Sequence, residues 1–405
     1  MTAVTLPVEE EVMTTTSPED SSLLFTYKRA PMELVSGKGV ELTDSDGKRY
    51  LDFASGIAVN ALGYGDAGIA NAVNQALSTG LIHTSNLYRT SPGEQLAEKL
   101  VERSFASKVF FCNSGAEANE GAFKFARRWA RKTGSDSKVE IVALRGAFHG
   151  RLFASLAATD RPSYRAPFRP LAGAISICER DIADLDTALD EETVAALIVE
   201  PIQGEGGVRV LDSEFLHRLR DLTAKREIAL IFDEIQCGLG RTGHFFAYER
   251  VGVVPDMVTL AKPLAGGLPM GAILVSQEIA ATIEPGDHGT TFGGGPLVAA
   301  VAGHVVDRLS DPTLLKAVRE NGEWLGEQLS AMARRSGKVR AIRGTGFIWG
   351  LDVVGLANDI VKRGWDEGLL VSTAGDHTIR ILPPLIMGRE DLMRGVSILE
   401  KIISE

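Results

Sequence analysis

A lysine and an aspartate each follow an apolar, β-branched segment in the middle of the chain. Asp233 comes after Ile228 to Phe232, and Lys262 comes after Asp256 to Ala261. Both segments resemble buried strands, and open α/β sheets bind their ligands at the carboxyl ends of the strands. A desolvated lysine there has a lowered pKa and can form a Schiff base with a carbonyl. Because a buried acid keeps a ring nitrogen protonated, the pair suits chemistry on an aldehyde cofactor, although either residue alone is more often a solvated loop residue.

A phosphate-binding turn is predicted where residues 112 to 120 read CNSGAEANE. A strand ends at Cys112, Ser114 and Gly115 turn the chain, and a helix begins near Ala116. Free amides at a helix N-terminus bind anions, and glycine lets the backbone approach the ligand. The same pattern also suits an ordinary serine N-cap, so the turn alone leaves both interpretations open.

Two further loops that follow predicted strands carry groups suited to a substrate. Phe148, in AFHGRL, offers a flat ring face, and Arg151 offers a bidentate fork for a carboxylate. Glu205, on the glycine-flanked loop EPIQGEGG, could pair with Arg380 in one state and release it in another. The structural alternatives are a core position for Phe148 and solvated positions for the charged residues.

Hydroxyl groups and metal-binding residue types complete the set of candidates. Thr290 and Thr291 precede consecutive glycines in GTTFGGGP, which suits phosphate or carboxylate binding and equally suits a turn. His83 and His149 lie in no metal-like spacing, and the three cysteines match neither a zinc site nor a disulfide framework. We therefore predict that the protein has no metal site.

The charge and the hydropathy limit the class of protein. The net charge of -10 argues against nucleic acid or an anionic membrane surface as a partner, because both repel an acidic protein. No apolar segment has membrane-spanning length, and residues 1–22 lack the hydrophobic core of a signal peptide. We expect a cytoplasmic protein whose residues 1–22 form a flexible tail.

The elements that position these groups alternate between helix and strand from about Gly93 to Val275. This alternation predicts a mostly parallel α/β sheet with helices on both faces. A hairpin that turns at Asp46 and Gly47 precedes it, and an α+β region follows about Ala300. We predict a large domain over residues 76–301 and a smaller α+β domain over 23–75 and 302–405. The smaller domain should contain a helix over Pro312–Ser336 and short strands over Phe347–Val353, Leu369–Ser372 and Thr378–Leu382.

Taken together, the motifs resemble those of the class III, or ornithine-type, aminotransferases over roughly residues 25 to 403. The resemblance implies the aspartate aminotransferase fold (PLP fold type I), the cofactor pyridoxal 5'-phosphate and an obligate homodimer with shared active sites. The similarity is carried by SGIAVNALG, SNLY, FFCNSGAEANE, AFHGR, VEPIQGEGG, FDEIQCGLGRTG, LAKPLAGGLP, HGTTFGG and RILPPL.

The resemblance also implies roles for the residues at matching positions. Lys262 would bind the cofactor and move a proton between substrate and cofactor. Asp233 would pair with the pyridinium nitrogen, Gln236 would hydrogen-bond the phenolic oxygen, and Phe148 would stack on the ring. The phosphate would be held by Ser114, Gly115, Ala116 and, from the neighbouring subunit, Thr291.

For the substrates, the resemblance implies transfer of an amino group from N2-acetyl-L-ornithine to 2-oxoglutarate, as in arginine biosynthesis. The products are N-acetyl-L-glutamate 5-semialdehyde and L-glutamate. Arg151 would hold the α-carboxylate of acetylornithine and Arg380 that of glutamate, with Glu205 as a switchable partner and Thr290 also on the substrate side. The alternatives are an ornithine, succinylornithine, 4-aminobutyrate or acetyl-lysine type of aminotransferase, or a non-catalytic phosphate-ligand-binding protein on the same fold.

Two segments depart from the pattern of this family. GYGDAG at residues 63–68 replaces a glycine-histidine segment that ends in proline, and Gly295 stands where many members have asparagine. We expect the first departure to affect the substrate entrance and the second to affect the loop of Thr291.

Overall fold

The computed structural model of the protein describes residues 22–405. Apart from Ser22, the tail predicted over residues 1–22 lies outside the described residues. Over the described range, every helix is either too short or too polar to cross a membrane.

The N-terminal part contains an antiparallel sheet and two long helices. The predicted hairpin is confirmed, with its turn at Asp46 and Gly47, and one strand that the sequence does not predict, Leu34–Lys38, pairs with it. The elements in chain order are β1 (Leu34–Lys38), β2 (Glu41–Asp44), β3 (Arg49–Asp52), α1 (Ser55–Ala58), α2 (Ala67–Ser78) and α3 (Ser91–Glu102).

The central part forms a seven-stranded sheet, and 3₁₀ turns occur at Ala166–Phe168, Ala247–Arg250 and Lys262–Ala265. Its elements are β4 (Lys108–Cys112), α4 (Gly115–Thr133), β5 (Glu140–Leu144), α5 (Phe153–Ala157), α6 (Pro162–Arg165), β6 (Ile175–Cys178), α7 (Ile182–Ala188), β7 (Val194–Val199), β8 (Ile202–Gln203), β9 (Arg209–Val210), α8 (Ser213–Lys225), β10 (Ala229–Asp233), β11 (Met257–Leu260), β12 (Gly271–Val275) and α9 (Gln277–Ala280).

The strand order of the large sheet is β4-β12-β11-β10-β7-β5-β6. Only β12 runs against its neighbours, so the predicted mostly parallel sheet is confirmed. Alternate residues of the strands enter two different hydrophobic clusters; on β10, Leu230 and Phe232 belong to one and Ala229 and Ile231 to the other. Because successive side chains of a strand point to opposite faces, helices cover both faces of the sheet.

The C-terminal part adds four helices and a second antiparallel sheet. The predicted helix Pro312–Ser336 is confirmed as one continuous element. The elements are α10 (Pro296–Leu309), α11 (Pro312–Ser336), β13 (Val339–Thr345), β14 (Ile348–Val353), α12 (Ala357–Asp366), β15 (Leu369–Leu370), β16 (Ser372–Thr373), β17 (Thr378–Ile381) and α13 (Arg389–Ser404).

The prediction of a single strand over residues 369–372 is wrong. This stretch is divided at Val371 into β15, which pairs with β3, and β16, which pairs with β17. The chain leaves one small sheet and enters another because its backbone groups find partners first on the N-terminal strands and then on the C-terminal ones. The predicted domain boundaries at residues 75/76 and 301/302 fall inside α2 and α10, so the division into domains stays a prediction.

The element α1 is a left-handed turn rather than an ordinary helix. All four of its residues have positive φ, including the β-branched Ile57 at φ 62. Asp52 accepts hydrogen bonds from the amides of Ala54 and Ser55, and the hydroxyl of Ser55 donates to the carbonyl of Leu382. These bonds hold a backbone conformation that residues other than glycine adopt only at a cost in free energy.

Candidate active site

Polar groups follow the carboxyl ends of five strands of the large sheet. β4, β5, β7, β10 and β11 run in one direction, so their ends lie along the same edge. β12 runs the other way and returns the chain from the Lys262 loop toward β4. Its first residue, Gly271, is so close to Ser114 that a Cβ atom there would lie 2.5 Å from the Ser114 carbonyl oxygen.

A cavity of about 420 Å³ opens at this edge. Eight of the residues predicted for the site line it together, although they come from four separate segments of the sequence. They are Ser114, Gly115, Ala116, Phe148, Arg151, Asp233, Gln236 and Lys262.

Lys262 is the half-buried first residue of the 3₁₀ turn Lys262–Ala265 and has a positive φ of 35°. Burial lowers the pKa of its ammonium group, whereas the nearby carboxylates of Asp233 and Glu205 act in the opposite direction. The net shift is downward, so the amine gives up its proton more readily than a solvated lysine. That property suits a nucleophile for carbonyl groups.

Asp233 is fixed by a buried hydrogen-bond network and is only 3% exposed. Its Oδ2 atom lies 2.8 Å from the side-chain amide nitrogen of Asn119 and 2.8 Å from Nδ1 of His149. Its Oδ1 atom accepts a hydrogen bond from the amide of Ile235. Thr259 donates to Oδ1 of Asn119 and so orients the amide that donates to Asp233. A carboxylate held in this way stays in one orientation at the wall of the cavity.

Two residues of this region have no role in the sequence-based prediction. His149 is buried, and its Nε2 atom has no partner among residues 22–405. Glu200 accepts hydrogen bonds from the amides of Phe148 and Gly204 and thereby joins the loops after β5 and β7. Burial and the neighbouring carboxylate of Asp233 raise the pKa of Glu200 well above its ordinary value.

A signal for Glu200 was present, because it follows β7 directly, just as Asp233 ends β10. Asn119 also leaves a trace in the sequence, since it is a polar residue beside the apolar stripe of α4. For His149, no sequence signal identifies Asp233 as the partner, because that contact joins residues that are distant in the sequence.

The N-terminus of α4 has Ser114 as its N-cap residue, and its role as an anion site stays a prediction. The hydroxyl of Ser114 accepts a hydrogen bond from the amide of Glu117, and the Glu117 carboxylate accepts one from the amide of Asn113. The amides of Gly115 and Ala116 have no acceptor within the helix and point out of its first turn. A Cβ on Gly115 would lie 2.7 Å from Cδ1 of the cavity residue Ile235, so any larger residue at this turn would displace the Ile235 side chain.

Arg380 and Glu205 form the ion pair that the sequence predicts. Nη1 of the buried Arg380 donates to Oε1 of Glu205 and also, over 3.2 Å, to Oε1 of Gln236. Burial would raise the pKa of Glu205, but the charge and the hydrogen bond of Arg380 outweigh it and the pKa lies below its ordinary value. Arg161 donates to the backbone carbonyl of Glu205 and so fixes the loop that carries the carboxylate.

Arg151, unlike Arg380, has no acidic partner in the described chain. It lines the cavity, it is exposed, and no carboxylate within residues 22–405 pairs with it. Its guanidinium carbon lies 3.9 Å from the centre of the Tyr164 ring. The site therefore holds one masked arginine and one arginine whose hydrogen-bonding edge is free.

Thr290 and Thr291 lie outside the cavity. Thr290 accepts a hydrogen bond from the cavity residue Asn113, and Thr291 lies beside a separate surface groove that also contains Tyr88. The position of Thr291 is compatible with a role in a neighbouring subunit, which stays a prediction.

The two departures from the family pattern also lie outside the lining of the cavity. Asp66 caps α2 through the amide of Ile69 and pairs with Arg308 on α10. Gly295 is the N-cap residue of α10 and supplies no side-chain cap. Within the described chain, both departures thus lie at the N-termini of helices, and their expected effects on the substrate entrance and on the loop of Thr291 stay predictions.

The groups around the cavity fit pyridoxal 5'-phosphate. The free amides of α4 are complementary to a phosphate, Lys262 to an aldehyde, and the fixed carboxylate of Asp233 to a protonated ring nitrogen. The buried Nε2 atom of His149 is a further polar group that a ligand in the cavity could satisfy.

The comparisons with known proteins agree with this arrangement. The sequence profile of the family described as "Aminotransferase class-III" matches residues 26–403. The chain is 43% identical, over 94% of its length and 96% of the relative's, to an acetylornithine aminotransferase of Methanocaldococcus jannaschii. It is 41% identical to a succinylornithine transaminase of Yersinia enterocolitica, with 96% of each chain covered.

The fold also matches solved structures. The crystal structure of N-acetylornithine aminotransferase from Stenotrophomonas maltophilia superposes with a TM-score of 0.82 at 36% identity, covering 93% of this chain and 96% of that one. The fold and the family that the sequence motifs indicate are therefore confirmed.

Proposed function

The chain belongs to the class III aminotransferases, enzymes that depend on pyridoxal 5'-phosphate, and on this basis we propose that its amino donor is N2-acetyl-L-ornithine. Its acceptor would be 2-oxoglutarate, and its products N-acetyl-L-glutamate 5-semialdehyde and L-glutamate, as in arginine biosynthesis.

The observation that carries this proposal is the contrast between Arg151 and Arg380. Arg151 is unpaired within residues 22–405, whereas Arg380 is covered by Glu205. A donor that reacts through its terminal amine must keep its α-carboxylate away from the reacting carbon. The free fork of Arg151 suits that carboxylate, while Glu205 prevents Arg380 from binding it in the wrong orientation.

The cofactor supplies an aldehyde that bonds to amines and a ring that accepts electron density. Around it, we assign the phosphate to Ser114, Gly115 and Ala116, the ring face to Phe148, and the phenolic oxygen to Gln236. Asp233 keeps the ring nitrogen charged, since Asn119 and His149 hold its carboxylate in place. Lys262 Nζ would take up and return the proton at the reacting carbon.

In the second half-reaction the reacting amine of glutamate is an α-amine, so its α-carboxylate lies beside the reacting carbon. Glu205 must then release Arg380, which becomes the partner of that carboxylate. The tether from Arg161 to the Glu205 carbonyl fixes the backbone, so the release requires only rotation of the Glu205 side chain. We place Thr290 on the substrate side through its contact with Asn113.

Succinylornithine is the second candidate donor, since one relative at 41% identity is named for it. It shares the terminal amine and the α-carboxylate of acetylornithine and differs in the acyl group alone. Arg151 would hold both donors in the same way, so the acyl group would decide the preference.

A panel of donors with 2-oxoglutarate tests the proposal. The panel contains acetylornithine, succinylornithine, ornithine, acetyl-lysine and 4-aminobutyrate, and kcat/KM is measured for each. We expect acetylornithine to have the highest value. Equal or faster turnover of 4-aminobutyrate would overturn the donor assignment.

The alternative of a non-catalytic phosphate-ligand-binding protein has its own test. The purified protein should absorb visible light because Lys262 bonds to the cofactor, and borohydride should remove the band and label Lys262. Lys262→Ala should abolish turnover while the fold is retained. A colourless protein without transaminase activity would favour the binding protein.

We also propose a homodimer in which Thr291 contacts the phosphate of the neighbouring subunit. Support comes from apolar side chains beside the groove that contains Thr291, where Leu87 is 89% and Phe292 64% exposed. Such exposure is typical of an interface.

Mixed dimers of Lys262→Ala and Thr291→Val subunits test this arrangement. If Thr291 acts across the interface, each mixed dimer contains one intact site and activity returns on mixing. If activity stays at the level of the separate variants, or if the protein is monomeric by light scattering, the proposal fails.

For the cellular location we propose the cytoplasm. The three cysteines are free and well separated, which suits a reducing compartment. Fractionation of the source cells tests this assignment.

A further inference from the structure

The guanidinium of Arg151 lies over the aromatic ring of Tyr164. The guanidinium carbon lies 3.9 Å from the ring centre, well within the distance of a cation–π contact. Arg151 lines the cavity, whereas Tyr164 does not. A substrate in the cavity would therefore meet Arg151, with Tyr164 behind it.

Tyr164 belongs to a segment that is fastened to the loop of Arg151. The hydroxyl of Thr159 accepts hydrogen bonds from the amides of His149 and Gly150. The amide of Asp160 donates to the carbonyl of Ala147 over 2.8 Å, and the Asp160 carboxylate accepts from the amide of Gly146. The half-buried ring of Tyr164 consequently keeps a fixed position relative to the backbone of residues 146–150.

The stacked contact has a consequence that an ion pair would not have. A guanidinium stacks through its face and binds carboxylates through its edge. Tyr164 thus restricts the long Arg151 side chain while leaving its N–H groups available. A carboxylate in place of Tyr164 would hold Arg151 equally well but would occupy the edge, as Glu205 does for Arg380.

We propose that Tyr164 is a positioning residue that determines donor specificity by orienting Arg151 toward the distal carboxylate of the amine. The proposal rests on the proposed function, because it assumes a donor whose carboxylate binds Arg151. It adds a residue outside the cavity to the recognition of the donor. The reacting atoms and the cofactor remain untouched by Tyr164.

The test compares Tyr164→Leu, which removes the ring, with Tyr164→Phe, which keeps it. Single-turnover kcat/KM is measured for acetylornithine, for the carboxylate-free diamine putrescine, and for glutamate in the second half-reaction. We expect Tyr164→Leu to lower the value for acetylornithine by about five- to thirtyfold, chiefly through KM, because the stack no longer orients the fork. The values for putrescine and glutamate should stay unchanged, and Tyr164→Phe should behave as the wild type.

A double-mutant cycle with Arg151→Met separates positioning from a general loss of structure. In the Arg151→Met background, Tyr164→Leu should have no further effect on acetylornithine, because its action passes through Arg151. An equal loss for acetylornithine and glutamate, or a full additional loss in the Arg151→Met background, would overturn the proposal.

The outcomes also separate this proposal from the proposed function. If the wild type does not prefer acetylornithine over putrescine, the proposed function fails, and the role of Tyr164 fails with it. If the wild type has that preference and Tyr164→Leu retains it, only the role of Tyr164 is overturned.

Discussion

The carboxylate of Glu205 pairs with the buried guanidinium of Arg380, while the backbone of the same glutamate is held by Arg161. One residue is thus fixed through its carbonyl and movable through its side chain. The preceding residue, Gly204, packs closely against Gln236, because a Cβ at Gly204 would lie 1.9 Å from Oε1 of Gln236.

Glu205→Gln should change the choice between the two half-reactions. Loss of the charge uncovers Arg380, which then binds the α-carboxylate of acetylornithine in an unproductive orientation. We expect the ratio of kcat/KM for acetylornithine to that for glutamate to fall about ten- to a hundredfold. This range corresponds to the free energy of a hydrogen bond between charged groups. Glu214→Gln on the exposed side of α8 is the matched control, and an unchanged ratio would contradict the gating role.

Arg151→Met should weaken only donors that carry a distal carboxylate. Loss of the bidentate contact is expected to lower kcat/KM for acetylornithine about ten- to a hundredfold and to leave putrescine unaffected. Arg218→Met, on the surface of α8, serves as the control for loss of a positive charge. A comparable loss for both donors would show that Arg151 supports the structure rather than the carboxylate.

Asp233→Asn should separate cofactor binding from catalysis. The amide keeps the shape of the side chain but removes the charge that holds the ring nitrogen protonated. We expect kcat to fall by about 10²- to 10³-fold, the scale of a lost electrostatic contact in an active site, while the bound cofactor measured by absorbance stays near stoichiometric. Asp221→Asn is the surface control, and a kcat close to that of the wild type would exclude the assigned role.

The pH dependence of cofactor uptake should report the lowered pKa of Lys262. Only the uncharged amine attacks the aldehyde, so the rate at which cofactor-free protein becomes coloured should rise with pH and level off above that pKa. The midpoint is expected below that of a free lysine, about 10.4. Since the carboxylate of Glu205 raises the pKa of Lys262, Glu205→Gln should move the midpoint to still lower pH. A midpoint at or above the free value would refute desolvation as the dominant cause.

Ile57→Asn should stabilise the protein. Ile57 is 43% exposed and adopts a left-handed conformation that asparagine tolerates better than a β-branched residue. We expect the free energy of unfolding to rise by about 1 kcal/mol, measured by urea denaturation at fixed protein concentration. Val254→Asn, at a residue 48% exposed and without positive φ, should leave it within about 0.5 kcal/mol. A lower stability for Ile57→Asn would contradict the prediction and show that the packing of the isoleucine side chain outweighs the relief of the left-handed conformation.

Sequence predicts best those site residues that end a strand or follow one. Ser114, Arg151, Asp233 and Lys262 each follow or end a strand of the same parallel set, so the direction of the sheet suffices to bring them to one edge. The reversal of β12 was beyond prediction, because an apolar run of five residues carries no information about its direction.

The pair of Glu205 and Arg380 was predicted, but two other contacts between side chains were not. Whether His149 meets Asp233, or Tyr164 meets Arg151, depends on the packing of loops whose partners are distant or irregular in structure. The break at Val371 has a similar origin, since a strand of two residues exists only through the neighbour that completes its hydrogen bonds.

The segment from Thr159 to Tyr164 has a consequence for how Arg151 and the Glu205 loop are positioned. Arg161 contacts the Glu205 loop, and Tyr164 contacts the Arg151 guanidinium. Only two residues separate Arg161 from Tyr164 in the sequence. We expect a substitution at Tyr164 to act through Arg151, and a substitution at Arg161 to act through the loop that carries Glu205. An insertion or deletion between them would displace both contacts at once, so the length of this segment couples the position of Arg151 to that of the Glu205 loop.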